Sequence, residues 1–262
     1  MNRQTFIGYS LTSLAALTAP REKVVEPITE VVGPLVLVHG AWHGGWCWKY
    51  VKRILTNESI EVFTPTLTGL GDRQHLNISP NLDTHIADVV NVIESEELSG
   101  VTLVGHSYAG MVITGVADKL RGRIRKLIYV DAFVPDPGQC VLDLLSDERR
   151  KGLLETVDAG KIQPLSPQLL GVTNPDDIAW MNRRVRPQSV ATFSQKLSFN
   201  DISAIKRVYV HCINPPSGSF GQFARRFAHD PTWKYLELNT GHDCMITAPQ
   251  DLASVIIREM ES

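Results

Sequence analysis

A serine with glycine two positions before it and alanine two positions after it is the clearest candidate for chemistry in this chain. Ser107 lies in GHSYAG, residues 105–110, after an apolar run and before a helical pattern. A serine on a strained turn between a strand and a helix has its hydroxyl lifted above the sheet, where it can attack a carbonyl carbon. Ala109 stands where the usual pattern has glycine, and Gly110 follows it. The motif predicts Ser107 as the nucleophile of an acyl transfer.

A histidine near the C-terminus can serve as the base for that serine. His242 lies in GHD, residues 241–243, between the last predicted strand and the last predicted helix. An imidazole accepts the proton of an attacking hydroxyl and returns it to the leaving group. The chain has eight histidines, and only His242 occupies such a position after Ser107. We predict His242 as the general acid and base.

A glycine-rich loop supplies the third part of this chemistry. HGAWHGGW, residues 39–46, follows the first strong strand and should lie beside the serine turn. The backbone N–H groups of Ala41 and Tyr108 are predicted to form an oxyanion hole, which stabilises the charge that develops on the carbonyl oxygen. For His39 and His43 we favour a structural role in which they hold the loop by hydrogen bonds. His43 is also kept as a candidate substrate contact.

Six apolar runs predict the strands that position these motifs. Each is as short as a buried parallel strand, and the first is also rich in β-branched residues; the runs cover residues 34–39, 60–64, 101–105, 126–131, 206–212 and 234–238. Helical patterns alternate with them, including 83–95 with Asp83 as its N-cap and a last helix that starts near Pro249. This alternation predicts an α/β protein with a doubly wound, mostly parallel sheet.

A long insertion interrupts the alternation after the strand that ends at Asp131. Helical pieces are predicted at 141–157, about 165–171 and 175–185. An insertion at the carboxyl end of a strand lies over the binding crevice of such a sheet. We therefore predict a helical lid; the alternative is a packing insertion without a gating role. The predicted division is an N-terminal segment at 1–20, a core at 21–135 and 204–262, and the lid at 136–203.

The N-terminal segment differs from the rest of the chain. It has one charge, Arg3, then a mildly apolar stretch over 6–17 and small residues before Pro20. This pattern predicts an export signal cleaved near Ala16 or Ala19, which would deliver the protein to the periplasm or the outside of the cell. The alternative is a loosely packed arm on a cytoplasmic protein.

Composition excludes several classes of protein. The chain of 262 residues has 26 Lys and Arg against 28 Asp and Glu, a net charge of −2, so it has no basic excess for nucleic acid. No apolar run reaches the roughly 18 residues of a membrane-spanning helix. The four cysteines are scattered without a CxxC pair, which argues against a zinc cluster or a disulfide scaffold. We therefore expect no nucleic acid, no membrane span and no metal.

Taken together, the motifs resemble one branch of the α/β-hydrolase superfamily. The similarity covers about residues 34–260 and is carried by LVHGAWHGGWCW, TPTLTGLGDR, GHSYAG, DAFVPDPG and the terminal GHD. This branch contains plant methylesterases, hydroxynitrile lyases and bacterial pyrethroid-hydrolysing esterases. The resemblance implies the α/β-hydrolase fold and a serine carboxylesterase that cleaves a small, largely hydrophobic ester through an acyl-enzyme. It implies no cofactor and a small-molecule ester as partner, and a homodimer stays open.

The acid of the catalytic triad is where this chain departs from its plant relatives. The resemblance places that acid in the loop after the strand at 206–212, but residues 213–218 read INPPSG and contain no carboxylate. Other α/β-hydrolases, including haloalkane dehalogenases, resemble this chain in having an acid at the end of the strand after the nucleophile. We predict Asp131, because its strand should neighbour that of Ser107 and end at the same level. Asp136, in a Pro-Asp-Pro turn, is the competing candidate.

Two positions favour ester hydrolysis over the lyase reaction. The related lyases carry a threonine where this chain has Gly40 and a lysine where it has Asp243. A lactonase, a hydroxynitrile lyase-like enzyme and a hydrolase-fold receptor that only binds its ligand are the alternatives. For each candidate substrate contact, packing in the core is an equal alternative; the candidates are Trp42, His43, Phe133 and Trp180.

Overall fold

Six parallel strands form the central sheet of the structure, a computed structural model that describes residues 33–76 and 78–262. In chain order the strands are β1 (Leu35–Val38), β2 (Val62–Phe63), β3 (Val101–His106), β4 (Ile124–Val130), β5 (Val157–Asp158), β6 (Lys161–Ile162), β7 (Gln188–Ser189), β8 (Lys206–Cys212) and β9 (Trp233–Leu238). The central sheet has the order β2-β1-β3-β4-β8-β9, and its pairings are all parallel. The predicted doubly wound, mostly parallel sheet is confirmed, with a strand in each of the six predicted runs.

Helices cover both faces of this sheet. In chain order they are α1 (Lys49–Asn57), α2 (Leu82–Ser95), α3 (Ala109–Lys119), α4 (Asp147–Glu155), α5 (Pro175–Asn182), α6 (Val190–Ser194), α7 (Gly221–Phe227), α8 (Cys244–Thr247) and α9 (Pro249–Met260). Successive side chains of a strand point to opposite faces. Accordingly Val36 and Val38 of β1 join one buried apolar cluster, and Leu35 and Leu37 join another. The sheet therefore lies between two apolar layers that hold its strand ends rigidly.

The carboxyl ends of β1 and β3 form the crevice of the sheet. β1 pairs with β2 on one side and with β3 on the other, so the chain changes direction across the sheet at this point. Open parallel sheets bind ligands at such a switch point, outside the carboxyl ends of the strands. The glycine-rich loop after β1 and the serine turn after β3 consequently lie side by side.

The predicted N-cap of α2 is wrong by two residues. The helix begins at Leu82, and its N-cap is Asn81, not Asp83. Asn81 Oδ1 accepts the backbone N–H of Thr84 at 3.0 Å, and Thr84 Oγ1 accepts the backbone N–H of Asn81 at 3.3 Å. This reciprocal pair satisfies two backbone donors at once. Asp83 lies instead in the first turn, where its negative charge favours the helix dipole.

The insertion between β4 and β8 is less helical than predicted. Its first predicted helix is divided into a single 3-10 turn at Val141–Leu144 and α4, and the second is only a 3-10 turn at Pro167–Leu170. A small antiparallel sheet of β5, β6 and β7 was not predicted. Ala159 and Gly160 between β5 and β6 both have positive φ, 47° and 75°, as tight hairpin turns require. Strands of two residues are too short to produce a recognisable alternation of polar and apolar residues.

The predicted export signal at 1–20 lies outside the described residues. Among the residues that are described, no helix is long and apolar enough to cross a membrane.

The contact between α3 and the segment after β4 predicts the effect of one substitution. A Cβ placed on Gly110 would lie 1.9 Å from the carbonyl oxygen of Phe133. We expect Gly110→Ala to lower the free energy of unfolding by about 1–3 kcal/mol, because α3 must move away from the sheet. Gly152→Ala in α4 is the matched control, since a Cβ there meets nothing within 4 Å. Urea unfolding of both variants measures this, and equal stabilities would contradict it.

Candidate active site

Ser107 lies on a strained turn at the end of β3. Its φ is +55°, in the left-handed region that residues other than glycine rarely adopt. Its N–H donates to the Val130 carbonyl at 3.1 Å, and its carbonyl accepts the N–H of Phe133 at 3.1 Å. Because Val130 ends β4 and Phe133 follows closely, the neighbouring strand sustains the strain of the turn.

Three side chains from three strand ends form one hydrogen-bonded chain. Ser107 Oγ lies 3.0 Å from His242 Nε2, and His242 Nδ1 lies 2.6 Å from Asp131 Oδ2. Asp131 is completely buried, whereas Ser107 retains 8% exposure toward a cavity. A carboxylate that accepts Nδ1–H leaves the lone pair of Nε2 facing the serine hydroxyl. The structure therefore brings together the three residues predicted as nucleophile, base and acid.

Asp131 is held in place by the neighbouring strand β8. Its N–H donates to the Val210 carbonyl at 2.7 Å, and its Oδ1 accepts the N–H of Cys212 at 3.3 Å. The competing candidate, Asp136, lies on the surface and forms an ion pair with Arg226 at 3.0 Å. Asp136 is thus engaged elsewhere, and its side chain is more than half exposed.

His242 is fixed by contacts to its backbone and to its ring. His106 Nε2 donates to the His242 carbonyl at 3.0 Å. Phe220 stacks on the imidazole with ring centroids 4.8 Å apart and an interplanar angle of 7°. A base whose ring is held on one face keeps both of its hydrogen bonds aligned, which favours proton transfer.

The loop after β1 presents backbone donors to the same cavity. Ala41 and Tyr108 both line it beside Ser107, and within the described part of the chain neither N–H has a hydrogen-bond acceptor. His39 Nδ1 donates at 2.8 Å to the Gly40 carbonyl, which belongs to the same peptide group as the Ala41 N–H. Burial lowers the pKa of His39 to about 3, so the ring is neutral and its Nε2 accepts the N–H of Leu67. These linked hydrogen bonds polarise the Gly40–Ala41 peptide group, which makes the Ala41 N–H a stronger donor.

The cavity beside Ser107 has a volume of about 400 Å³ and a mainly apolar wall. Trp42 and Phe133, two of the predicted substrate contacts, line it. The insertion supplies most of the remaining apolar wall, through Val141, Leu145, Leu153, Leu165, Leu169, Leu170 and Phe193. Its polar edge consists of Arg149, Ser217 and Ser219. A space of this size and polarity is suited to a small hydrophobic ligand.

The structure does not bring the other two predicted substrate contacts, His43 and Trp180, to this cavity. His43 is 2% exposed and is hydrogen-bonded to Asp243 behind the loop. Trp180 packs edge-on against Trp46 at 4.9 Å and lies beside Tyr50 of α1. Aromatic side chains bury large apolar areas, and in α5 the nearest apolar surface for Trp180 is this outer helix layer, away from the serine.

Two residues of the site had no signal in the sequence. Gln188 Oε1 accepts the N–H of Trp42 at 2.9 Å and is itself buried, so it holds a loop residue whose φ is +64°. Phe220, which stacks on His242, lies beyond the loop in which the plant relatives were expected to carry their acid. Neither residue is part of a motif. A single glutamine in an insertion becomes meaningful only when its long-range partner is known.

One group of three potential metal ligands occurs among the described residues, and it overlaps this site. Ligand atoms of His106, His242 and Asp243 lie within 4.8 Å of one another. His106 Nε2 already donates to the His242 carbonyl, and both ring nitrogens of His242 bond Asp131 and Ser107. Three of the four ring nitrogens are therefore engaged in hydrogen bonds, and among the described residues His106 Nδ1 has no partner.

Comparison with known proteins agrees with this fold. Residues 35–255 match the alpha/beta hydrolase family. The chain is 42% identical over 236 residues to a carbendazim hydrolyzing esterase of Nocardioides sp. (strain SG-4G), a match that covers 83% of this chain and 96% of that protein. It is also 25% identical to methylesterase 7 of Arabidopsis thaliana, over 85% of this chain and 94% of the relative.

A solved structure extends the similarity of fold. The pyrethroid hydrolase of Sphingobium faniae JZ-2 superposes with a TM-score of 0.67 at 22% identity, covering 88% of this chain and 98% of the other. The chain therefore belongs to the alpha/beta hydrolase family. Within it, the chain is a carboxylic ester hydrolase, and the resemblance to the methylesterase and pyrethroid hydrolase branch is confirmed.

Proposed function

We propose that the protein is a serine carboxylesterase that hydrolyses small, largely hydrophobic esters through a Ser107–His242–Asp131 triad. The observation that carries this proposal is the unbroken hydrogen-bond chain from a fully buried carboxylate to a serine hydroxyl that faces an apolar cavity. Each role follows from the hydrogen bond that the residue makes. No metal or cofactor enters the proposed steps.

Acylation begins when Ser107 Oγ attacks the ester carbonyl and His242 Nε2 takes the hydroxyl proton. Asp131 accepts the Nδ1–H of the resulting imidazolium and so compensates its charge. The N–H groups of Ala41 and Tyr108 are the proposed oxyanion donors, because both line the cavity next to Ser107. His242 then gives its proton to the alcohol, which leaves, and the acyl group stays on Ser107.

Deacylation repeats these steps with water as the nucleophile. His242 removes a proton from water, the hydroxide attacks the acyl carbonyl, and the proton returns to Ser107 Oγ as the acid leaves. We assign the insertion at 136–203 the role of a lid, since its apolar side chains form much of the cavity wall over Ser107. An apolar wall excludes water, which strengthens the hydrogen bonds that stabilise the oxyanion.

Lyase activity is the second candidate, and the space around Gly40 argues against it. A Cβ at this position would lie 2.7 Å from His106 Nδ1 and 3.0 Å from Ser107 Cβ. The threonine of the related lyases would thus displace the serine turn here. Asp243, which stands where those lyases carry lysine, is paired with His43 and does not reach the cavity. Both observations support ester hydrolysis.

A substrate panel tests the proposal directly. We expect burst release of p-nitrophenol from its acetate and butyrate esters, together with an intact mass increased by the acyl group. Carbendazim belongs in the panel because the 42% identical relative is named for its hydrolysis. A γ-lactone and a cyanohydrin represent the alternatives. Faster turnover of the cyanohydrin than of any ester, or ester turnover without an acyl-enzyme, would overturn the proposal.

A further inference from the structure

The ring of His43 lies between two hydrogen-bond acceptors behind the cavity wall. Its Nδ1 is 2.6 Å from the carbonyl oxygen of Ala41, and its Nε2 is 3.1 Å from Asp243 Oδ2. A carbonyl and an ionised carboxylate can only accept, so both ring nitrogens must carry a proton. With both nitrogens protonated the ring is an imidazolium, and Asp243, which is completely buried, is its counter-ion.

Burial disfavours the charged forms of three titratable groups near this pair, and His242 also lies close to Asp243. Burial lowers the pKa of His106 well below its usual value, and burial lowers that of His39. Burial also raises the pKa of the Cys47 thiol, which lies near Asp243. Although burial by itself disfavours the charged ring of His43, Asp243 raises its pKa above the ordinary value. Burial likewise opposes ionisation of Asp243, yet the charge of His43 lowers its pKa.

The pair joins the two loops on which the proposed chemistry depends. Ala41 carries a proposed oxyanion donor, and Asp243 directly follows the proposed base. The Asp243 N–H is itself fixed by the Leu170 carbonyl of the insertion at 3.0 Å. The His43 ring also stacks on Trp46, with centroids 5.2 Å apart. No other side chain in the described ranges bonds both loops.

We propose that His43 and Asp243 are positioning residues: a buried imidazolium–carboxylate pair that holds the oxyanion loop in register with the loop of His242. The inference rests on the proposed triad, but neither residue touches the substrate. Loss of the pair should therefore lower turnover more than substrate binding. We expect kcat of His43→Gln to fall about 10- to 100-fold, less than the loss of an oxyanion donor, with KM changed by no more than about twofold.

The dependence of activity on pH distinguishes positioning by a charged ring from general support of the fold. Asp243→Asn removes the counter-ion, so the pKa of His43 falls and the ring loses one proton as pH rises through that lower value. The activity of Asp243→Asn should then decline as pH rises through that lower pKa, at a lower pH than any decline of the wild type. His43→Gln has no such proton, and its activity should rise to a lower plateau as the base deprotonates.

The experiment measures kcat and KM on p-nitrophenyl butyrate from about pH 5.5 to 9.5 for these two variants and for the double variant His43→Gln/Asp243→Asn. The double variant contains no unpaired buried charge, so it keeps the test available if Asp243→Asn fails to fold. Its activity should rise to the low plateau and should not decline as pH rises further. His229→Gln, at an exposed histidine, is the matched control and should behave as the wild type.

A trifluoromethyl ketone that forms an oxyanion adduct supplies a second readout. Its inhibition constant should weaken by the same factor as kcat/KM in His43→Gln. The inference would be overturned by an unchanged kcat in the folded double variant or by an effect on KM alone. It would also be overturned if the activity of Asp243→Asn depended on pH as that of the wild type does. Full activity of Ser107→Ala would instead refute the triad, so the two failures are distinguishable.

Discussion

Ser107→Ala is expected to lower kcat for ester hydrolysis on the order of 10⁶-fold, as loss of the nucleophile does in serine hydrolases. The serine hydroxyl is the only part removed, and within the described part of the chain its hydrogen bond to His242 Nε2 is the one side-chain hydrogen bond that is lost. The strained turn is held by backbone hydrogen bonds, which alanine keeps. The variant should therefore fold normally, and binding of a substrate analogue should be retained.

The measurement combines steady-state kinetics with labelling by a fluorophosphonate probe. The wild type should be labelled once, at Ser107, and Ser107→Ala should not be labelled. Ser219→Ala is a suitable control, since Ser219 lines the same cavity but makes its side-chain hydrogen bond with Arg149. Labelling of another serine in Ser107→Ala, with turnover near that of the wild type, would remove Ser107 from the mechanism.

Asp131→Asn is expected to lower turnover by about 10⁴-fold, the loss seen when a triad aspartate becomes asparagine. An amide can donate to His242 Nδ1, which moves the ring proton to Nε2 and leaves no lone pair for the serine proton. The imidazolium of the transition state would also lose its negative partner. Asparagine keeps an oxygen that can accept the N–H of Cys212, so the fold should survive.

Asp136→Asn is the matched control for this prediction. Its carboxylate is exposed and pairs only with Arg226 among the described side chains, and exposed ion pairs contribute about 0–1 kcal/mol. We expect its turnover to stay within about fivefold of the wild type, and its stability to change little. A crippled Asp136→Asn beside a nearly normal Asp131→Asn would reverse the assignment of the acid. Kinetics and thermal melts of both purified variants decide between these outcomes.

The proposed acid follows a different strand from the one that the resemblance to the plant enzymes implies. β4 and β8 are adjacent and parallel, so the residues that follow them lie at the same edge of the sheet. Asp131 follows β4 and reaches His242 Nδ1. The loop after β8 supplies no carboxylate, and Asn214 there bonds the side chain of Asn239. A carboxylate from either strand end can thus meet the same geometric requirement.

The sequence by itself determined the sheet, the serine turn and the candidate base. These features depend on residues that are close together in the chain: apolar runs of strand length, small residues around Ser107, and a histidine between a strand and a helix. Such local patterns reflect the steric and burial requirements of the elements themselves. Asp131 could also be predicted, because parallel strands end at one edge and the alternative loop was empty of carboxylates.

Only the tertiary structure decided which polar side chains face the cavity and which hold the loops by hydrogen bonds. For His43 the sequence favoured a structural role and kept substrate contact as a candidate, but it could not give the partner, Asp243, which lies 200 positions away in the chain. Gln188 is 146 positions from the Trp42 N–H that it accepts. A buried polar group takes whichever partner the packed chain brings within about 3 Å, and composition and periodicity contain no information on pairs so far apart. The positions of these side chains are therefore a property of the packed fold.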